Sequence, residues 1–201
     1  MRTPTFLLVS AVTLFSAALS IGACKAPPQP EAPAAAAAPN YAVTATVRDI
    51  MAAIIDPAAD GVWNSVKTTV SAEGTVNTVP TTDEEWRNVR RAALTLIEST
   101  NLMLMPDRKV AWPGEGPAAP GDELHPDEVY ALIQKDPRAW RNMTLMLRSA
   151  ANEVIKAVDA KNANTMLDVG ERLEIACETC HTRFWYPNQR FPEGYGTVTS
   201  K

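Results

Sequence analysis

Histidine and cysteine are scarce in this chain: two histidines and three cysteines among 201 residues. Once Cys177, Cys180 and His181 are set aside, only Cys24 and His125 remain, too few for the second Cys/His cluster of a structural zinc site. A basic surplus is missing as well. Nineteen Lys and Arg face 23 Asp and Glu, a net charge of −4, and no basic patch suits nucleic acid. The longest apolar run, residues 6 to 20, is too short for a comfortable transmembrane helix. There is no internal repeat and no convincing strand, so the pattern has to be carried by helices.

The amino terminus supplies the compartment. Met1 and Arg2 form a short positive region before that run, which has the length of a signal-peptide core. It ends in Ile21-Gly22-Ala23-Cys24, which resembles a bacterial lipobox and makes Cys24 the lipidated first residue of the mature chain; the alternative is an ordinary cleaved signal peptide with Cys24 incidental. Residues 25 to 40 are rich in Pro and Ala and nearly uncharged, a composition that cannot bury a core and favours an extended spacer. At about 3.1 Å per residue this spacer holds the globular domain several tens of Å from a membrane surface. Loss of residues 1–23 removes Arg2 and no acid, which takes the net charge from −4 to −5. A mildly acidic surface suits a partner with a basic face, or serves solubility alone. The expected organisation is a signal peptide over 1–23, a tether over 24–41, one domain over 42–192 and a flexible tail over 193–201.

Five residues, Cys177-Glu178-Thr179-Cys180-His181, carry the chemistry. C-x-x-C-H is the attachment signature of c-type haem. Each thiol adds across a porphyrin vinyl group to leave a thioether, and the histidine offers a ring nitrogen to the iron. Positions three and four apart share one face of a helix, so all three side chains can point at one ring. A thioredoxin-like redox pair is the first rival, but it belongs where a strand enters a helix, and here a long helical pattern precedes the motif. With every cysteine assigned, no disulfide is expected.

Helical spacing recurs four times. Val47, Ile50, Met51, Ile54 and Ile55 form a first stripe, which kinks or restarts at Asp56-Pro57. Residues 71–80, with Gly74 and Pro80, are expected to be a loop. Thr82-Asp83-Glu84-Glu85 has the S/T-x-x-E capping pattern and opens a second helix to about Met103. A Pro- and Gly-rich stretch from 107 to 126 comes next, then a short helix from His125-Pro126 to Gln134, and a third long helix from Asp136-Pro137. Asn162 or Asn164 caps the last, on which Met166, Val169, Leu173, Ala176, Cys177 and Cys180 keep the stripe. The fold expected from this is all-α, an antiparallel four-helix bundle with haem attached at the end of the last helix.

That arrangement, with Phe184 three residues after His181, resembles the class II cytochromes c: the cytochrome c-prime family and its low-spin, methionine-ligated relatives. The likeness spans about residues 43–190. Two positions depart from the family pattern. Trp185 rather than a basic residue follows Phe184, and Arg48 stands four before Ala52, not Met51. His181 is the proximal iron ligand by motif. Met51 is the candidate sixth ligand, helped by the resemblance, although a methionine on an apolar stripe is more often core filling. Met103, Met105 and Met143 are lesser candidates, and His125, in its Pro/Gly-rich setting, is expected to be solvated. Arg48, Arg91 and Arg172 are candidate propionate partners, and Trp63, Trp86, Trp140 and Phe184 candidate pocket walls. Gly170, costly inside a helix, marks close approach by the ring or a neighbouring helix.

These readings lead to one expectation, with rivals. The chain is a non-enzymatic one-electron carrier with a single covalent haem c, lipid-anchored through Cys24 on the periplasmic side of a bacterial membrane and exchanging electrons with redox partner proteins. The alternative is a five-coordinate protein that binds nitric oxide or carbon monoxide; a peroxidase is weaker, for want of a distal base. The resemblance also implies that two copies can pair as a homodimer through their first two helices.

Overall fold

The computed structural model describes residues 41–119 and 121–189. The signal peptide, Cys24, most of the tether and the tail from 193 lie outside the described residues. The elements are α1 (Val47–Ile50), a π-helical turn (Met51–Ile55), α2 (Asp56–Trp63), β1 (Lys67–Ser71), β2 (Gly74–Thr78), α3 (Asp83–Met103), α4 (Pro126–Lys135), α5 (Pro137–Asp159) and α6 (Ala163–Phe184). No helix among the described residues is long and apolar enough to cross a membrane.

The expected all-α four-helix bundle is not what forms. The described residues contain a two-stranded antiparallel sheet, β1 against β2, and α4 as a further helix with its own small core. The hairpin replaces the loop expected over 71–80. Its register pairs Lys67 with Thr78 and Ser71 with Gly74, so Ala72 and Glu73 form a two-residue connection. Thr and Val fill both strands, and β-branched side chains favour extended backbone. Every strand residue is exposed. With neither face buried there is no apolar alternation to mark the strands, which is why the pattern of hydrophobic residues missed them.

Proline shapes the first helical segment. Pro57 has no N–H, and its ring crowds the carbonyl four residues back. The chain absorbs this by widening one turn: the N–H of Asp56 donates to Met51 O, five residues back, and α2 continues without a break. Upstream, Thr46 and Asp49 cap α1 reciprocally, with bonds of 3.1 and 2.9 Å. The free N–H groups of Val47 and Arg48 donate to the carbonyls of Lys109 and Val110, so the stretch between α3 and α4 finishes this helix end. Buried Arg108 fastens the same corner, its guanidinium donating to Leu102 O, Ala45 O and Met105 Sδ.

The long helices run side by side. Lys161 and Asp159, at the end of α5, pair with Asp83 and Arg90 near the start of α3, while Trp140 Nε1 at the other end of α5 donates to Met103 O at 3.2 Å. These contacts make α3 and α5 antiparallel. Between α5 and α6 the chain reverses through a Schellman turn. Lys161 takes a left-handed φ of 48°, and Lys161 and Asn162 donate back to Val158 and Ala157. Asn162 then caps α6 through Thr165 N–H. The main core lies where α1, the π turn, α2, α3, α5 and α6 meet, around Ile50, Ile55, Leu96, Val154 and Leu173.

Two glycines sit at helix crossings of different tightness. A Cβ at Gly61 would stand 3.1 Å from Ala92 Cβ, so close that the neighbouring helix would have to give by a few tenths of an ångström, whereas one at Gly170 would meet Trp63 Cδ1 at an ordinary 3.6 Å. Gly170→Ala should therefore raise stability by about 0.5–1 kcal/mol, the helix-propensity gain, and Gly61→Ala should fail to show that gain; denaturant titration of both variants checks this. Glu85 generates a pH prediction. It accepts from the N–H groups of Thr81 and Thr82 and from both hydroxyls, which hold its carboxyl down at about 2 against an ordinary 4.5. A depressed folded value stabilises above the unfolded one and is lost as acid protonates the group. The advantage of wild type over Glu85→Gln in thermal melts should be full at neutral pH, fall below about 4.5 and vanish near about 2.

Candidate haem site

The buried stripe of α6 runs Met166, Val169, Leu173, Ala176 and ends at Phe184, which orients the turn between them. Cys177, Cys180 and His181 lie on that turn and line one cavity of about 280 Å³. Ile55, Ala59, Trp63 and Leu147 give it apolar walls, and Asp56, Glu174 and Glu178 contribute carboxylates. The three side chains of the C-x-x-C-H motif thus share one space, and the same space holds Met51, Met103 and Met143.

The state of the thiols separates the rival chemistries. Cys177 and Cys180 are half-buried and not bridged. Burial pushes the Cys177 thiol up to about 12, with Glu174, Glu178 and Asp56 adding to the rise, and burial alone does the same to Cys180. A redox-active pair needs the opposite setting, electropositive and partly exposed, so that the thiolate persists. The residues present fit a c-type haem: two thiols three apart on one face, an imidazole beside the second, apolar walls, and thioether sulfurs as candidate second axial donors. That volume lies just below the range of ligand pockets, about 300–1,000 Å³.

The carboxyl-terminal end of α6 is anchored on all sides. Phe184 is buried with Val110, Val129 and Ile133, and Trp140 meets it edge-on at 5.4 Å. Arg183 pairs with Asp136, the N-cap of α5, at 3.3 Å. Trp185 O accepts from Leu124 N–H at 2.9 Å, and Arg48 lies 5.8 Å above the Trp185 ring. The departure at position 185 therefore serves packing, with the base one residue before Phe184 tied to α5.

Beside His181 stands a polar pair that sequence spacing alone did not single out. Glu178 Oε1 is 3.5 Å from His181 Nδ1, and Tyr186 donates its hydroxyl to both Glu178 oxygens at 2.8 and 2.7 Å. The only signal for Glu178 is its place three residues before the histidine on one helix face; Tyr186, past the helix end, carries no such signal.

Other expected site residues are sorted by the cavity. Met51, half-buried, opens the π turn; Met103, nearly fully buried, ends α3; Met143 lies half-buried on α5. Ala52 is exposed, so the residue facing the cavity is Met51. Met105 lies elsewhere, its sulfur accepting from Arg108. His125 is an N-cap: its Nδ1 accepts from Asp127 N–H at 3.3 Å while Glu128 accepts from His125 N–H, and it lines a separate groove with Trp112 and Tyr130. Arg48, Arg91 and Arg172 do not line the cavity; Arg48 is engaged with Gly116 O and Glu115, and Arg91 with Asn88. Of the candidate walls only Trp63 lines it, its Nε1 donating to Gly170 O at 3.1 Å; Trp86 is in the main core, Phe184 in the smaller one, and Trp140 packs against both. The neighbour that approaches Gly170 is thus the Trp63 ring from α2. Comparison of the chain with protein-family models, with characterised proteins and with solved structures finds no match.

Proposed function

We propose that the chain is a c-type cytochrome that carries single electrons. The supporting observation is the convergence of Cys177, Cys180 and His181 on one apolar cavity that also holds three methionine sulfurs. Cys177 and Cys180 would hold the haem through thioethers, and His181 would bind its iron. When bound, the haem supplies a one-electron ferric/ferrous couple. The chain's own residues do the rest. Ile55, Ala59, Trp63 and Leu147 exclude water, Met51 would offer a thioether sulfur as second ligand, and the anchored end of α6 holds His181 in place. A group held by both the His181 imidazole and a thioether would have no open position, which favours electron transfer over binding or catalysis. Lipid attachment at Cys24 and the Pro/Ala-rich tether would keep the carrier on the periplasmic side of a bacterial membrane, within reach of redox partner proteins. The relation to the class II cytochromes c belongs to this proposal and rests on the motif at the end of the last helix and on Phe184.

A second reading has one observation in its favour. Three thioethers share the cavity, and Met51 is only half-buried, so a side chain that swings away leaves an apolar space where nitric oxide or carbon monoxide can bind.

The optical spectrum of the purified holoprotein decides between them. The expected ferrous spectrum is low-spin with sharp alpha and beta bands, converted to high-spin by Met51→Ala and left low-spin by Met103→Ala and Met143→Ala. A wild-type spectrum that is high-spin, unchanged by Met51→Ala and shifted by carbon monoxide sinks the carrier and establishes the gas-binding reading. Cys177→Ala/Cys180→Ala should carry no covalent haem; its mass after denaturation should equal that of the bare polypeptide.

A further inference from the structure

Beyond the imidazole of His181 stands a two-residue relay. Glu178 occupies one of the two positions between the cysteines, and its carboxylate lies 3.5 Å from Nδ1, the ring nitrogen that would not bind iron if Nε2 does. Tyr186 holds that carboxylate from the far side, donating one hydroxyl to both oxygens at 2.8 and 2.7 Å. Tyr186 is itself fixed to the histidine: its N–H donates to His181 O at 3.0 Å, and its ring meets the imidazole at 5.8 Å and 60°. The side chains of Glu178 and His181 are 30% and 29% exposed, so solvent competes for them only in part.

We infer that Glu178, held in place by Tyr186, is a positioning residue for His181 that accepts the Nδ1 proton in a hydrogen bond and so fixes both the ring tautomer and its donor strength. The inference rests on the haem reading of the preceding subsection. A carboxylate acceptor on Nδ1 raises the basicity of Nε2, and a more basic axial ligand favours ferric over ferrous iron. No proton leaves the histidine. Two other carboxylates, Asp56 and Glu174, border the same cavity; Asp56 interacts with His181 through its charge, and only Glu178 is paired with Nδ1 at 3.5 Å among the described residues.

The test is a spectroelectrochemical titration of the full-length holoprotein, with the haem-to-protein ratio and thermal midpoint measured on each sample. Glu178→Gln should raise the midpoint potential by about 59 mV, a tenfold shift of the ferric/ferrous ratio for one electron. Tyr186→Phe should shift it the same way by less, and the double variant should match Glu178→Gln alone, since both act through one contact. Glu174→Gln removes the same charge from the same cavity and should shift the potential by less than half as much. Equal shifts from Glu178→Gln and Glu174→Gln, or additive shifts from Glu178→Gln and Tyr186→Phe, overturn the inference. Full haem loading with potentials unchanged in every variant overturns it while leaving the haem reading intact; wild-type protein without covalent haem overturns both.

Discussion

The missing amide of Pro57 is the constraint on which the rest of the cavity depends. In a regular α-helix residues five apart point about 140° away from each other, since each residue turns the chain by about 100°. Ile50 and Ile55 are five apart, and both are almost fully buried in the same core. Only a widened turn allows this, and the bond from Asp56 N–H to Met51 O supplies it. Without the extra residue in that turn, Ile55, Ala59 and Val62 would rotate away from the core together. The proline that prevents ordinary helix geometry thus resets the register of the residues after it, and the first residue of the reset turn is Met51. Wide turns of this kind gather at functional sites because they aim side chains that regular geometry cannot.

A second constraint acts from the opposite wall. The turn of α6 that bears Cys177, Cys180 and His181 can present them to one cavity only if the helix neither frays nor rotates. Fraying is checked by Phe184 in its own small core, and rotation by the Arg183–Asp136 pair and the Leu124 to Trp185 hydrogen bond. That small core is built by Val110, Val129 and Ile133, which belong to the connection after α3 and to α4. In the same connection the carbonyls of Lys109 and Val110 accept from the N–H groups of Val47 and Arg48 at the start of α1. One irregular stretch therefore braces both the helical segment that carries Met51 and the helix that bears the C-x-x-C-H motif. This is why α4 and its preceding loop cannot be treated as decoration on the long helices.

Local rules were legible in the residues; what depended on distant contacts was not. The Thr82/Glu85 cap, the Asn162 cap and the proline at the start of α5 each declare themselves within four residues, and spacing places the four apolar stripes. The hairpin escaped because both its faces are exposed, so the alternation that marks strands is absent, and the expected four-helix bundle fell with it. Asp56-Pro57 signalled a break, and the chain answered with a wide turn, since burial of Ile50 and Ile55 outweighs the strain of a nonstandard helix. His125 drew attention as a scarce residue type, yet its structural work is to cap α4. Glu178 and Tyr186 were invisible for the reverse reason: their meaning lies in a contact made after the helix ends and the chain folds back onto His181.

The choice among Met51, Met103 and Met143 turns on geometry rather than on sequence. All three are apolar, flexible and suited to a core, and sequence ranks them only by stripe and family likeness. The cavity removes Met105 and His125 but retains three sulfurs, each on a different element. Their mobility separates them. Met103 is nearly fully buried at the end of α3, so its side chain is already committed to packing. Met51 is half-buried at the one place where the helix is widened, so swinging its sulfur inward costs fewer existing contacts. Met143 is half-buried like Met51, so under the proposed haem reading burial sets Met103 apart from these two, and the widened turn is the feature that Met51 alone of the three possesses.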